Sequence, residues 1–313
     1  MISVRRRWLL GAAVGVLAGT VAGVACGWML ATPEASSWVR ALSVGTGSTV
    51  LGIAVLAAMI RGERRPGIEP DDVWRAIAAL SGAWLALESV QLVREAASAV
   101  AVPVGDLRAG LFAEYVATAG SGRVEAAAWL CVAACCIVAV VAYRRSASWS
   151  TAPVLVCAAL ALIARPATGH MAQQTLGSLL NAAHVLAAAV WFGVLAALAL
   201  LVRRRGSWAQ LLPRYSSLAL RCVAVLAATG VIDAAVRLGS FTALFGTGYG
   251  RIVLAKAAVL ATLLVVAWTW RRTWVPAAAS HRATADVSLR NAVVEVCGIA
   301  VAFGLAAALA TAP

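Results

Sequence analysis

Long apolar runs separated by short basic connections make up most of the chain. They occupy Trp8 to about Ala31, Trp38 to Ile60, Val73 to about Ala99, Arg123 to Ala142, Ala152 to Ala164, Thr175 to Leu201, Ser217 to Leu238, Arg251 to Trp270 and Leu289 to about Ala310. A helix rises about 1.5 Å per residue, so about 20 residues cross the roughly 30 Å hydrocarbon layer, and most of these runs predict transmembrane helices. The fifth run is short and is expected to break at Arg165 and Pro166. Between the third and fourth, DLRAGLFAEYVAT predicts a short amphipathic helix on the outer surface. The chain reads as an all-α, polytopic transmembrane helix bundle of about nine helices.

Arginine clusters orient it. Arg5 to Arg7, Arg61 with Arg64 and Arg65, Arg144 with Arg145, the stretch from Arg203 to Arg214, and Arg271 onward through Arg282 and Arg290 all fall in alternate connections. Basic residues favour the cytoplasmic side, which predicts an amino terminus inside and a carboxyl terminus outside. The first run resembles a secretory signal behind its three arginines, but it is too long for one and reads as a signal-anchor helix. Cys26 lacks the leucine expected three residues before a lipoprotein cysteine.

Composition agrees with a membrane protein: 62% of the residues are hydrophobic and 12% charged, about half the charged share of soluble domains. The net charge of +13 has a topological explanation in those arginines, so no nucleic-acid partner is inferred. The seven cysteines lie almost entirely within apolar runs, which argues against an extracellular disulfide framework. No CxxC pair, methionine-rich run or phosphate-binding glycine loop is present, and ATP-driven pumping is unsupported. No internal repeat is evident, so an inverted-repeat transporter is not indicated.

Candidate chemistry lies in the ionisable residues inside these runs. His184 shares a helix face with Trp191, with Asn181 and Ala188 beside them. An imidazole deep in a membrane must be hydrogen-bonded, bound to a ligand or wet. Glu88, Gln91 and Glu95 share a stripe of the third run, with Arg94 adjacent; Asp233 and Arg237 stand one turn apart, and Lys256 and Glu295 occur in the eighth and ninth runs. Counting rises from the outer ends puts Glu88, His184, Asp233 and Lys256 at depths of about 8 to 13 Å, with Glu295 nearer the inner face. Arg165, His170, Arg237 and Arg251 ring the outer side. These positions predict a polar vestibule open to the outside. Carboxylates with an imidazole suit Cu(II) or another divalent ion, and the candidate ligands are His184, His170, Glu88 and Asp233, with Met171 beside His170. The alternative is a static bundle in which Asp233 pairs with Lys256 or Arg237, and Glu88 with Arg94. Cys131 and Cys135, with Cys136 adjacent, offer a softer site for Cu(I).

From about Gly169 to Pro313 the chain resembles the copper resistance protein D family. The resemblance rests on Gly169-His170, HVLAAAVWFGVLAAL from His184, RYSSLAL from Arg214, ATGVIDAAVRLGS from Ala228, GTGYGRIVLAKAAVLA from Gly246, and a final helix containing Glu295. His184, Trp191, Gly193, Tyr249, Arg251, Lys256 and Glu295 match the family pattern, whereas Val194 and the Trp270-Arg271 pair depart from it. The resemblance implies a copper-handling protein of the cytoplasmic (inner) membrane, often served by a periplasmic copper-binding partner. It divides the chain into a four-helix region at 1–150, which carries no nameable motif, and a five-helix copper resistance D-like domain at 151–313. A copper-delivery assembly factor remains open. So does a haem-binding membrane oxidoreductase, for which His170 would fold down as the second axial ligand to His184.

Overall fold

Hydrocarbon offers the backbone no hydrogen-bond partners, so each apolar run has to satisfy its own N–H and C=O groups as a helix. The computed structural model describes residues 2–30, 37–62, 67–146, 148–168, 177–238 and 243–309. Among them the elements are α1 (Ile2–Leu30), α2 (Ser37–Met59), α3 (Pro70–Ala99), α4 (Ala109–Thr118), α5 (Gly120–Arg144), α6 (Ala152–Thr168), α7 (Gly177–Leu201), α8 (Arg205–Leu238), α9 (Ala243–Gly246), α10 (Gly248–Arg272), α11 (Trp274–Ala279) and α12 (Ala285–Leu309), with no strand. Seven stretches, corresponding to α2, α3, α5, α7, α8, α10 with α11, and α12, are long and apolar enough to cross a membrane; Val14–Met29 in α1 and Ala152–Ala164 in α6 are shorter apolar helices. The protein is a multi-pass membrane protein.

Three boundaries differ from expectation. The arginine-rich stretch after α7, read as a connection, is the first part of α8, because Trp208, Leu211, Leu212 and Tyr215 recur at helical spacing and are all buried. Helix α6 continues past Arg165 and Pro166 to Thr168, so the missing Pro166 N–H is accommodated in the last turn. The connection before α12 contains α11, whose Trp274 packs edge-on to Trp270 at 5.4 Å and donates from Nε1 to Ser288 Oγ at 3.2 Å. The expected amphipathic helix is α4. Its buried Tyr115 approaches Glu125 of α5 at 3.3 Å, and burial raises the phenol pKa above its ordinary value.

Contacts between connections show that the basic clusters share one end of the bundle. Arg61 donates to Ser150 at 2.7 Å, Ser146 to Asp71 at 3.4 Å, and Arg214 to the Met59 carbonyl at 3.3 Å. Arg203 pairs with Asp72 at 3.3 Å, and Arg271 donates to the Ser216 carbonyl at 3.1 Å. Such an end belongs in the cytoplasm by the positive-inside tendency. Reporters fused after Arg145 or Arg272 are therefore expected to be active only if they function in the cytoplasm, and a reporter after Gly105 only if it functions outside. A topology map with the opposite signs would invert this orientation.

Two glycine-lined contacts bring helices close together. Along α1, Gly15, Gly19, Gly23 and Gly27 recur every four residues and meet, in order, Cys297, the Cys297 carbonyl with Ala300, Val301 with Gly304, and Ala308 of α12. Positions rise together on both helices, so α1 and α12 are parallel. Small residues at a fixed spacing let backbones approach in membranes, where lipid supplies no hydrophobic drive for helices to associate. The second contact joins α2 to α7, where Gly52 lies against the Gly193 backbone and Gly193 against the Ser48 carbonyl. Helix α7 is the central helix: every residue from Trp191 to Ala199 is buried. This position at the centre is what sets the surroundings of His184 and Trp191.

Candidate functional site

Two polar stations occur along α7, one turn-pair apart. In the upper one, His184 Nδ1 lies 2.8 Å from Thr229 Oγ1 of α8. The Thr229 hydroxyl has one proton, and its 2.7 Å contact to the Val225 carbonyl takes it. With that proton on the carbonyl, His184 Nδ1–H is the donor and the lone pair stays on Nε2. The ring rests over Gly230, where an added Cβ would sit 3.7 Å from Cε1. Lys256 of α10 is half-buried and acts electrostatically on the same ring. Half-buried Asp233 lies one turn beyond Thr229 on α8. Thus Thr229 of α8 and Lys256 of α10 act on His184 of α7, and Asp233 follows Thr229 by one turn of α8. Thr229 was not anticipated, although it stands in the ATG segment at helical spacing from Asp233.

The lower station is a buried triad. Tyr215 of α8 donates its hydroxyl to Glu295 Oε1 of α12 at 3.2 Å, and the Trp191 indole hydrogen-bonds within the same group. Trp191, Tyr215 and Glu295 are 4%, 3% and 6% exposed, so the group is buried. The contact with Tyr215, near the basic end of α8, puts Glu295 toward the inner face, as its sequence position predicts. Tyr215 is the partner that connects Trp191 of α7 with Glu295 of α12.

Glu88 is not part of either station. Its carboxyl accepts from Ser43 of α2 and, at 3.2 Å, from Trp84 Nε1, with Trp84 also donating to Ser43 at 3.1 Å. Helix α3 packs against α2 and α5, while α7 packs on α2, so α2 separates Glu88 from His184. Glu88 thus lies in a hydrogen-bonded group of α2 and α3, apart from His184. Buried Gln91 and exposed Arg94 and Glu95 line a crevice with Val39 and Arg40 at that end of α2 and α3. Asn181 lies half-buried on α7, and Arg251 is exposed on the first turn of α10. His170 and Met171 lie outside the described residues, as do the side chains of Tyr249, Arg165 and Arg237. Cys157 of α6 approaches both Cys131 and Cys135 of α5, and Cys135 Sγ sits 3.6 Å from the Val154 carbonyl. Among the described residues, no three His, Cys, Asp or Glu side chains are grouped to hold a metal ion.

Residues 209–309, which run from the early turns of α8 through α12, match the family profile of copper resistance protein D. In this carboxyl-terminal third the chain is similar to the copper resistance protein D family. The matched region contains Tyr215, Thr229, Asp233, Lys256 and Glu295, and begins after His184 and Trp191. It is shorter than the 169–313 resemblance read from the motifs. The chain is also 32% identical over 127 residues to the copper transport protein CutJ of Bacillus subtilis (strain 168), an alignment that covers 37% of this chain. It spans only 23% of that curated relative's length. No solved structure matches. The matched region thus supplies the α8, α10 and α12 members of the polar groups that meet α7.

Proposed function

We propose that this protein moves copper ions across the cytoplasmic membrane, and that His184 is a ligand the ion meets on its way. The observation that carries this reading is the His184–Thr229 hydrogen bond, which fixes one ring nitrogen as donor and leaves the other with its lone pair inside a membrane bundle. A metal-ligating imidazole is oriented in this way, by a hydrogen bond from its second nitrogen. Asp233 on the neighbouring turn adds a carboxylate, and Lys256 provides the charge balance when no ion is present. An ion in passage needs a few weak ligands rather than a closed cage, because it must leave as readily as it enters. Copper on the outer side is supplied, in this reading, by a periplasmic copper-binding protein.

His184→Ala is expected to abolish most copper-dependent accumulation or sensitivity in cells, while folded yield changes little, since alanine suits a helix already rich in alanine. Thr229→Val keeps the shape but releases the imidazole, and about a 10- to 100-fold weakening of copper dependence is expected from losing such an orienting bond. Cellular copper and folded protein measured on the same variants decide the matter. Normal copper handling by folded His184→Ala protein would remove His184 from the path. An absorption spectrum of the purified protein separates the haem alternative, because a Soret band would assign His184 to iron instead.

A further inference from the structure

Glu295 is a carboxyl group in the middle of a membrane bundle with neutral surroundings. Its hydrogen-bond partners are the Tyr215 hydroxyl at 3.2 Å and the Trp191 indole. Helix α12 packs against α1, α2, α7, α8 and α10, and the ionisable groups on those helices are engaged or placed elsewhere. Among described side chains, α1 offers Cys26, and α2 offers Arg40 near its other end. His184 of α7 lies two turns away, with Lys256 of α10 beside it. Arg251 is at the far end of α10, Arg271 is held by Ser216, and Arg272 stacks 4.0 Å over Trp268. On α8, exposed Arg214 donates to the Met59 carbonyl, Arg205 and Arg221 are exposed, Asp233 lies one turn beyond Thr229 and Cys222 is two turns past Tyr215; on α12 itself Cys297 faces Gly15 while Asp286 and Arg290 are exposed. Among the described residues, no ion pair involves Glu295.

An ionised carboxylate in hydrocarbon is tolerated only when a cation or several strong donors compensate it, and two neutral donors fall short. Taking up a proton is the cheaper state, because a protonated carboxyl still accepts from Tyr215. We propose that Glu295 is a proton-binding site, protonated at rest, and that it gives up one proton as one positive charge of copper reaches the α7 face above it. The second half of this proposal rests on the copper-transport reading. The charges balance: Glu295–COOH becomes Glu295–COO⁻ with the proton passing to water at the basic end, and a monovalent ion near His184 replaces the lost positive charge. His184 and Trp191 are seven residues apart, about 10 Å along α7, so the two stations are near enough to feel each other through a low-dielectric interior.

Two measurements on the full chain test this. The infrared spectrum of purified protein at neutral pH is expected to contain the C=O stretch of a protonated carboxylic acid that Glu295→Gln removes and Tyr215→Phe shifts without removing. Glutamine keeps the size and the acceptor oxygen, and Tyr215→Phe leaves the carboxyl in place, so one of them reports even if the other folds poorly. A spectrum unchanged by Glu295→Gln overturns the proton site. In vesicles loaded with a pH-sensitive dye and given Cu(I), wild-type protein is expected to move protons with copper, and Glu295→Gln to cut protons moved per copper at least tenfold. Copper uptake without proton movement in the wild type overturns the coupling and leaves transport standing. Absence of copper uptake in the wild type sinks the transport reading and the coupling together, and the infrared band alone then decides proton binding.

Discussion

Replacing Gly193 by valine is expected to leave almost no folded protein. A side chain there would be driven into the Ser48 carbonyl oxygen and the Gly52 backbone of α2. Overpacking usually costs about 1 to 3 kcal/mol when side chains can yield, and more is expected here because the atoms met are backbone. The site lies where α7 is buried from Trp191 to Ala199, so the strain cannot be relieved by moving one helix without unpacking both. Gly52→Val should behave alike. Gly82→Ala on α3 is the control, since an added Cβ there meets nothing within 4 Å. Helix propensity favours alanine by about 1 kcal/mol, so that variant should be neutral or stabilised. Yield after detergent extraction and thermal unfolding read the difference; Gly193→Val protein as stable as Gly82→Ala would mean that α2 and α7 do not touch as described.

Gly23→Leu is expected to undock α1 while the rest of the bundle holds. A leucine there meets the Val301 carbonyl and the backbone of Gly304 and Leu305, and α1 has its main packing partner in α12. The readout uses a cysteine the protein already has. A Cβ at position 15 would lie 3.9 Å from Cys297 Cβ, inside the range of about 3.5 to 4.5 Å found in disulfides. Gly15→Cys should therefore cross-link to Cys297 under mild oxidation. Adding Gly23→Leu should reduce that cross-link severalfold. Efficient cross-linking in the double variant would show that the seam tolerates a large side chain, and equal failure of both would place α1 elsewhere.

Much of the architecture was legible in the sequence. Apolar length marked the helices, and arginine spacing grouped the connections at one end, as Arg61, Arg203, Arg214 and Arg271 turned out to be. Helix partners were harder to read, because helices apolar on nearly every side carry little directional signal. Glu88 was assigned to the His184 group on depth alone, and depth cannot show that α2 stands between them. Tyr215 and Thr229 lie inside the quoted motifs RYSSLAL and ATGVID, yet a tyrosine in a basic stretch and a threonine in an apolar one look unremarked until facing helices are known. The start of α8 was missed for a related reason: Arg203 to Arg205 and Arg214 masked the stripe Trp208, Leu211, Leu212, Tyr215. The four-residue glycine period of α1 was fully visible and is the clearest signal left unread.

The seam between α1 and α12 also bears on how the protein is made. The two contact surfaces are separated by roughly 280 residues of chain, which at about 5 to 20 residues per second takes the ribosome roughly 15 to 60 s to synthesise. Throughout that interval the α1 glycine ridge has no mate, and its backbone faces lipid or the insertion machinery. The contact is a long-range closure whose entropy cost falls only once α12 has been made. A chain stalled before α12 is therefore left with a loose first helix, a form that membrane quality-control proteases can recognise.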